Sequence, residues 1–410
     1  MKWKLPNALP VVKKHLQRIR PSRWYAKIKD PRAETNRYWR FDYLLEVLCA
    51  GMLSGCKTLR EVETLSEIYD ERVSDTTLHD VLEKLDPQPL HEALVRDVKI
   101  ALRSHELPRN KFPVRITAID GKSIAVSKQS FGPNSDPVTG GGEGQFRHMA
   151  LRATHVSNEM ILFLGQREIP CKGAETTELR PFVETLLANY GRTDLLEVIS
   201  VDAGMVSKEN ADFLVRKKLH YIMALKGPQQ KLFAELNSIF ATMAPLKTTL
   251  ERQNGKEIIR ELCRFATPGL LNWQHVREAW FIKQTVTCHK TKKQTTEVRF
   301  FLSSLAPDKL SDVQVMQAIR MHWRIENNGY WLLDTAWTED ASPWTNRAMR
   351  FVSLLRLLAY NTISRLINRR LRYSGSRELS WLSVMKLLEH ACCQLRQSLL
   401  AINRAQPATL

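Results

Sequence analysis

The sequence predicts an α/β protein in which a mixed sheet is flanked by helices. Helical periodicity dominates residues 1–110, which we expect to form an all-α N-terminal domain. Hydrophobic strands come first and then alternate with helices across residues 111–228, which predicts the first part of a core built on a mixed sheet. A strand-rich stretch, residues 229–305, predicts a β-rich insertion. Helical patterns return in residues 306–372, expected to complete the core, and in residues 373–410, expected to form a helical tail.

The charge balance of the chain predicts a polyanionic partner. The 410 residues include 61 lysines and arginines against 43 aspartates and glutamates, a formal net charge of +18. Such an excess is typical of proteins that bind nucleic acid, and binding of this kind weakens as the salt concentration rises. An anionic membrane surface is the alternative, but the basic residues are spread along the chain rather than gathered in one amphipathic helix. We therefore expect nucleic acid and no membrane.

Other features exclude several classes of protein. No run of residues approaches the roughly 18 apolar positions that a membrane span needs, and the N-terminus lacks the apolar segment of a signal peptide. The seven cysteines are odd in number and include no CxxC pair, which argues against a disulfide framework and against a zinc site. We therefore expect a protein of the reducing cytoplasm.

A basic stretch and three short helices are predicted at the start of the chain. Residues 1–30 are rich in lysine and arginine, and they either lie along phosphates as an arm or form a loosely ordered terminus. Helices are expected over residues 41–53, over 58–69 and from a cap at Ser74 or Asp75 onward.

The second and third of these helices are a candidate helix-turn-helix motif. The third helix would enter a groove of the nucleic acid and present Thr76, Thr77, His79 and Lys84. Helical pairs that do not bind DNA are far commoner, so ordinary helix packing is an equal alternative.

Two aspartates stand at predicted strand ends in the core. Residues 114–120 form an apolar run that ends at Asp120, a second strand is expected over 123–127, and residues 197–202 form another run that ends at Asp202. In an open sheet, functional sites gather at the carboxyl ends of neighbouring strands. For either aspartate alone, a simple turn at a strand end is the alternative.

A helical segment with acidic and aromatic side chains, residues 320–340, supplies further candidates. Residues four apart share a helix face, so His322, Glu326, Tyr330 and Asp334 would form one stripe. Acidic groups on such a stripe are costly to bury unless they are paired or bind a cation. A solvated helix edge with arginine–glutamate pairs is the alternative.

Together, Asp120, Asp202 and Glu326 would form a cluster of carboxylate oxygens. Such a cluster suits Mg²⁺ or Mn²⁺, and two ions roughly 3.5–4 Å apart can activate an attacking oxygen and stabilise a leaving one.

Short motifs along residues 25–370 resemble one family. The chain resembles the DDE transposases of bacterial insertion sequences, in particular the branch that includes the H-repeat-associated proteins. The motifs are, in order, DPR at 30–32, AIDGKS at 118–123, KGAETTEL at 172–179, SVDAG at 200–204, IMALKG at 222–227, HWRIEN at 322–327, and WLLD with TED at 331–340.

The resemblance implies an RNase H-like catalytic core with a β insertion between the second and third acids. Asp120, Asp202 and Glu326 would be the catalytic, metal-binding triad of a two-metal Mg²⁺ site, with Mn²⁺ as a substitute. The implied reaction is hydrolysis at the element ends, which frees a 3′-OH, followed by attack of that hydroxyl on target DNA. The implied partner is double-stranded DNA, with a homodimer on the DNA, in the bacterial cytoplasm at the nucleoid.

Further residues are predicted around this triad. Asp334, Glu175 and Tyr330 are expected to support the metal ligands. The predicted DNA contacts are Lys226, His322, Arg324, Lys122, Thr77 and His79.

The chain departs from the branch at three places, which bear on substrate detail and on membership of the branch more than on the chemistry. The branch has a second His-Trp pair after its IEN motif, where this chain has Gly329-Tyr330-Trp331. The segment AGMVSKEN at 203–210 is nearer to the broader insertion-sequence pattern, and Pro228 replaces a polar residue. Two alternatives remain open: a transposase-derived protein that binds DNA without catalysis, and an RNase H-like nuclease that cuts without joining.

Overall fold

The computed structural model of the chain describes most of its residues. These are residues 8–107, 112–128, 135–138, 144–225, 230–266, 273, 275–341, 346–371 and 379–405. The predicted DNA contact Lys226 and most of the glycine-rich segment 131–145 lie outside them. Within the described residues, no helix is both long enough and apolar enough to cross a membrane.

One mixed sheet forms the centre of the structure. Its strands in the described residues are β1 (Ile116–Ser127), β2 (Asp136–Pro137), β3 (Phe146–His155), β4 (Leu162–Ile169), β5 (Val198–Val201), β6 (His220–Leu225), β7 (Lys247–Gln253), β8 (Lys256–Ala266), β9 (Glu278–Cys288) and β10 (Gln294–Ser303). They lie in the order β2-β3-β1-β5-β6-β10-β9-β8-β7, and β4 also pairs with β3.

Helices cover both faces of this sheet. They are α1 (Leu9–Ile19), α2 (Ser22–Tyr25), α3 (Phe41–Ser54), α4 (Leu59–Tyr69), α5 (Asp75–Leu82), α6 (Gln88–Arg103), α7 (Glu175–Tyr190), α8 (Lys208–Arg216), α9 (Gln230–Phe240), α10 (Asp312–His322), α11 (Trp331–Trp337), α12 (Asn346–Arg365) and α13 (Trp381–Ala405). Strand residues alternate between two hydrophobic clusters, so Ala118 packs on one face and Ile119 on the other.

The central strands set the register on which the predicted site depends. β1, β5 and β6 run parallel, and Ile119 of β1 lies opposite Val201 of β5. Asp120 and Asp202 are the next residues along the chain after this pair.

The structure corrects one prediction, because residues 114–127 do not form two strands. β1 runs through Asp120, since residues 117–123 pair continuously with antiparallel β3.

The strand-rich stretch extends the central sheet. The strands predicted from the sequence in this stretch, residues 257–265, 276–288 and 298–302, correspond to β8, β9 and β10. β10 also pairs with β6 of the core. α9 and β7 were not predicted. β7 is a largely exposed edge strand without a run of apolar residues, so it lacks the pattern that identifies a buried strand.

The first helices pack against the last ones. α3, α4 and α5 correspond to the three predicted helices, and the hydroxyls of Thr58 and Ser74 cap α4 and α5. α3 contacts both α12 and α13. The indole nitrogen of Trp337 donates to the carbonyl of Met52 over 2.9 Å, which joins α11 to α3.

The segment 320–340 is not one helix, as predicted, but two helices joined by a π-helical turn. α10 ends at His322, the π turn spans Ile325–Tyr330, and α11 follows directly. The π turn presses Gly329 against the ring of Phe163, where a Cβ atom would lie 3.0 Å from the ring edge. Glycine therefore permits this close approach, which a regular helical pattern does not predict.

A buried ion pair anchors the residues after α11. Arg152 of β3 and Glu339 are both fully buried, and the guanidinium donates to the carboxylate over 2.6 and 2.8 Å. The same guanidinium donates to the hydroxyl of Ser353 over 2.8 Å. Removing one partner of such a pair leaves an uncompensated charge in the core.

We expect Glu339→Gln to lower the free energy of unfolding by about 3–5 kcal/mol, because Arg152 would stay buried without a counter-charge. Urea denaturation followed by circular dichroism measures the effect. The matched control is Glu92→Gln, which removes the exposed pair with Lys27 and should change the free energy by less than about 1 kcal/mol. Equal shifts for the two variants would contradict the prediction.

Candidate active site

Two aspartates lie side by side where β5 ends. The carboxylate of Asp120 accepts a hydrogen bond from the backbone N–H of Gly121 over 2.8 Å. The carboxylate of Asp202 accepts one from the N–H of Gly204 over 2.9 Å and caps a short 3-10 turn. Each carboxylate is thus held by its own backbone, and both keep oxygen lone pairs for a further ligand.

Glu326 reaches the same site from the π-helical turn. Its side chain is exposed, and the turn that carries it is fixed to β1 because the hydroxyl of Tyr330 donates to the carbonyl of Asp120 over 3.0 Å. Tyr330 also stacks on Phe163, with ring centroids 6.4 Å apart. The predicted triad therefore comes from two neighbouring strands and one helical turn.

The ionised form of Asp120 is disfavoured at this position. Burial, together with the charges of Asp202, Glu326 and Glu175, raises the pKa of Asp120 to about 8, although the hydrogen bond from Gly121 opposes this. The carboxylates therefore repel one another when ionised. A bound cation would remove this repulsion.

Glu175 joins the group from the first turn of α7. A Cβ atom at Gly121 would lie 3.1 Å from a carboxylate oxygen of Glu175, so the missing side chain lets α7 approach β1 closely. The start of α7 is tied to the Asp202 turn by Asn210, whose amide donates to the carbonyls of Thr176 and Met205, each over 2.9 Å.

Asn210 was not predicted to take part in the site. The side chain is buried on the same face of α8 as Ala211 and Leu214. A polar residue on the apolar face of an amphipathic helix was the signal that could have identified it, because a buried amide needs specific partners.

Lys122 and Asp334 form an ion pair beside the triad. The ammonium of Lys122 lies 2.6 Å from one oxygen of Asp334, and only 11% of the lysine side chain is exposed. It also lies over the ring of Tyr330, 5.5 Å from the centroid. Asp334 thus connects α11 to β1, and Lys122, which was predicted to contact DNA, is engaged by a carboxylate.

Two other predicted DNA contacts face the protein interior. His322 is buried, its Nδ1 lies 3.1 Å from the hydroxyl of Ser200, and burial lowers its pKa to about 4 against the opposing effect of Asp202. The guanidinium of Arg324 donates to backbone carbonyls in the turn between β3 and β4. These placements do not support DNA contacts, because the His322 ring contacts the sheet and the Arg324 guanidinium is hydrogen-bonded to that turn.

The predicted recognition helix α5 has an unfavourable charge. Thr77 shares a hydrogen bond with the hydroxyl of Ser74 over 2.8 Å. The ring of His79 lies 3.7 Å from the carboxylate of Asp80 and 3.9 Å from that of Glu83. Carboxylates on the same helix repel phosphates, so the described surface of α5 does not favour a DNA-reading role.

The donor set suits a hard divalent cation. Asp120, Asp202 and Glu326 offer only carboxylate oxygens, which Mg²⁺ and Mn²⁺ prefer. No group of three or more histidine, cysteine, aspartate or glutamate side chains in the described part of the chain has the arrangement of a formed metal site. The donor atoms are therefore of the type that Mg²⁺ and Mn²⁺ prefer, but these side chains are not in the arrangement of a formed metal site.

The repulsion at Asp120 predicts a pH-dependent stability. The folded-state pKa of about 8 lies above the ordinary value of 3.8, so between these values the folded chain binds more protons than the unfolded chain. Stability contributed by this group therefore falls as the pH rises through that window. We expect Asp120→Asn to melt at a higher temperature than wild type at pH 8 and at a similar temperature at pH 4.

Thermal unfolding across this pH range measures the difference between the two proteins. Asp80→Asn, on the exposed face of α5, is the matched control and should show no pH-dependent difference from wild type. If the difference between Asp120→Asn and wild type is constant with pH, burial and the neighbouring acids do not raise the pKa of Asp120 as described.

Known proteins resemble this chain in sequence and in fold. The protein named "H repeat-associated putative transposase YhhI" from Escherichia coli K12 is 23% identical over 353 residues, which cover 79% of this chain and 84% of that protein. The protein named "Putative transposase YncI" from Escherichia coli O157:H7 is 25% identical over 262 residues, which cover 60% of this chain and 61% of that protein.

A solved structure supports the fold. The cryo-EM structure of the piggyBac transposase synaptic complex with hairpin DNA superposes with a TM-score of 0.50 at 12% identity and covers 97% of this chain and 80% of that one. Residues 111–362, more than half of the chain, match the family described as the transposase DDE domain. This match contains all three acids of the site, and the chain belongs to the DDE transposase family.

Proposed function

We propose that this chain is an active DNA transposase, which cuts the ends of an insertion sequence with the help of divalent metal ions and joins the 3′-OH to target DNA. The observation that carries the proposal is the convergence of Asp120, Asp202 and Glu326 at the end of β5, where burial and the neighbouring charges raise the pKa of Asp120. Such a group of ionised carboxylates is costly for a folded protein and becomes favourable when it binds cations.

The three acids would hold two Mg²⁺ ions, for which Mn²⁺ would substitute. When bound, such ions activate an attacking oxygen and stabilise a leaving oxygen in an in-line displacement on phosphorus. The chain itself orients the ligands. Tyr330 fixes the π turn to β1, and Lys122 with Asp334 holds α11 in place. Lys226 remains a predicted contact to the DNA backbone.

The domain organisation follows from the same proposal. Residues 111–228 and 306–372 would form the RNase H-like core, with residues 229–305 as the β-rich insertion. Residues 1–110 would recognise the element ends and 373–410 would form a C-terminal tail, with the protein acting as a homodimer on double-stranded DNA.

The first helices offer a surface for phosphates. Residues 8–29 contain seven lysines and arginines and no acidic residue. α1 buries Val12 and Leu16, so Lys14 and Arg20 are left exposed. This surface supports binding through the DNA backbone better than α5 does, because phosphate contacts come mainly from lysine and arginine.

The two candidate DNA surfaces can be separated by charge removal. We expect the double variant Lys14→Ala/Arg20→Ala to bind duplex DNA about tenfold more weakly and to reduce the slope of log affinity against log salt by about 2, one unit for each lost phosphate contact. Fluorescence anisotropy at several salt concentrations measures both quantities. The matched variant Thr77→Ala/His79→Ala should leave the affinity and the salt slope unchanged. If this variant weakens binding and Lys14→Ala/Arg20→Ala does not, α5 is the surface that contacts DNA.

Cleavage of a supercoiled donor plasmid that carries the gene with its flanking DNA tests the enzymatic proposal. We expect wild type to cut in Mg²⁺ and not in EDTA. Asp202→Ala and Glu326→Gln should lower the rate by more than about 100-fold, since even residues that only support metal ligands cost up to that amount. Asp80→Asn is the control carboxylate and should cut normally.

One observation favours a second candidate, a DNA-binding protein without catalysis. The described residues contain no preformed group of three metal-ligating side chains. If wild type and Asp202→Ala behave alike on the donor plasmid, this second candidate is correct. If wild type cuts but yields no joined products, the chain is a nuclease instead.

A further inference from the structure

A cavity between α2 and α6 has a buried carboxylate in its wall. Its volume is about 400 Å³, and it is lined by the apolar residues Ile19, Trp24, Ala93 and Ile100. Asp97 of α6 also lines the cavity, although this residue is only 8% exposed. A cavity of this size with mainly apolar walls and one placed polar group is typical of a site for a small organic molecule.

One oxygen of the Asp97 carboxylate lacks a hydrogen bond. The guanidinium of Arg365 donates to Oδ1. Within the described residues, the other oxygen, Oδ2, is buried and accepts no hydrogen bond, which is rare for a buried polar atom. Burial also raises the pKa of Asp97, and the charge of Arg365 opposes this effect. An N–H donor on a ligand in the cavity would give Oδ2 its missing partner and would stabilise the ionised carboxylate.

The solvent-exposed part of the cavity lining is basic. Arg23 is exposed, and the guanidinium of Arg96 donates to the carbonyl of Arg23 over 2.8 Å, which holds Arg96 beside it. Lys27 also lines the cavity, but its ammonium pairs with Glu92. Arginine side chains repel a cationic ligand and attract a phosphate. The ligand that fits this lining therefore carries an N–H donor at one end and an anionic group at the other.

We propose that this cavity binds an adenine or guanine nucleotide. The flat base would lie between the apolar walls, its exocyclic amino group would donate to Oδ2 of Asp97, and its phosphate would lie near Arg23 and Arg96. A sugar phosphate without a base fits these walls less well, because its hydroxyls would be buried without hydrogen-bond partners. The nucleotide is either free in solution or part of a DNA strand. The site does not depend on the proposed catalysis, so either proposal can fail without the other.

Calorimetric titration of the full-length protein in EDTA tests the inference. The ligands are AMP, GMP, ribose 5-phosphate, which lacks a base, and purine riboside 5′-monophosphate, whose base lacks the amino group. We expect AMP or GMP to bind about tenfold more tightly than each of the other two ligands, because only the amino group satisfies the buried carboxylate. The inference is overturned if neither AMP nor GMP binds more tightly than ribose 5-phosphate.

Asp97→Asn tests the contact to the base. With the amide oxygen kept on Arg365, the amide nitrogen takes the place of Oδ2 and donates where the carboxylate accepts. AMP should then lose its advantage over purine riboside 5′-monophosphate. Glu92→Gln, which removes an exposed carboxylate on the same helix, is the matched control and should keep that advantage. If Asp97→Asn folds and keeps the advantage as well, Asp97 does not bind the base.

Ala26→Phe tests the cavity even if Asp97→Asn does not fold. Ala26 lines the cavity and is exposed, so a larger side chain there can cover the cavity without disturbing the core. We expect this variant to bind AMP and GMP at least about tenfold more weakly than wild type, through loss of the same buried contact. Unchanged affinity for both nucleotides would place their binding elsewhere and overturn the inference.

A single-stranded oligonucleotide then separates the two sources of the ligand. If Ala26→Phe binds the oligonucleotide more weakly than wild type does, the cavity takes a nucleotide of DNA. If the two proteins bind it equally while differing in their affinity for AMP or GMP, the ligand is a free nucleotide.

Discussion

The site depends on the attachment of one helical segment to the central strands. Residues 325–341 meet β1 and β3 through three polar contacts, each on a different part of the segment. Tyr330 bonds to the backbone of Asp120, Asp334 pairs with Lys122, and Glu339 pairs with Arg152. Two of these contacts are to β1, one to the backbone of Asp120 and one to the side chain of Lys122. Without them, Glu326 would have no fixed relation to the two aspartates.

This attachment explains why the fold can hold several acidic side chains close together. Burial and the neighbouring acids raise the pKa of Asp120, which means that its ionised form destabilises the folded chain at neutral pH. The surrounding structure holds them in place through buried contacts that the acids themselves do not make. Arg152 and Glu339 lie completely buried next to the site, and breaking such a pair is far more costly than the repulsion between partly solvated groups.

Part of this arrangement could be predicted from the sequence, and the limits have physical reasons. Apolar runs identified the strand that contains Asp120 and the strand that ends just before Asp202, and capping residues identified the starts of α4 and α5. Periodicity identified the stripe that faces the sheet, since His322, Tyr330 and Asp334 all contact β1 or β5. The π turn was missed because a single extra residue per turn leaves almost no trace in a short pattern.

Other errors came from partners that are distant in the sequence. The run through Asp120 was divided into two strands because Gly121 is typical of a turn, but pairing with β3 continues the strand across it. Arg324 was among the residues predicted to contact DNA. The carbonyls that engage it belong to a turn more than 160 residues earlier, and no local pattern indicates them.

The charge distribution gives the last constraint on how such a protein could work. A net charge of +18 attracts DNA to the molecule as a whole, whereas the site itself presents clustered carboxylates that repel the phosphate to be cut. The two effects are compatible only if the DNA is held at basic surfaces away from the acids and the local repulsion is cancelled by cations.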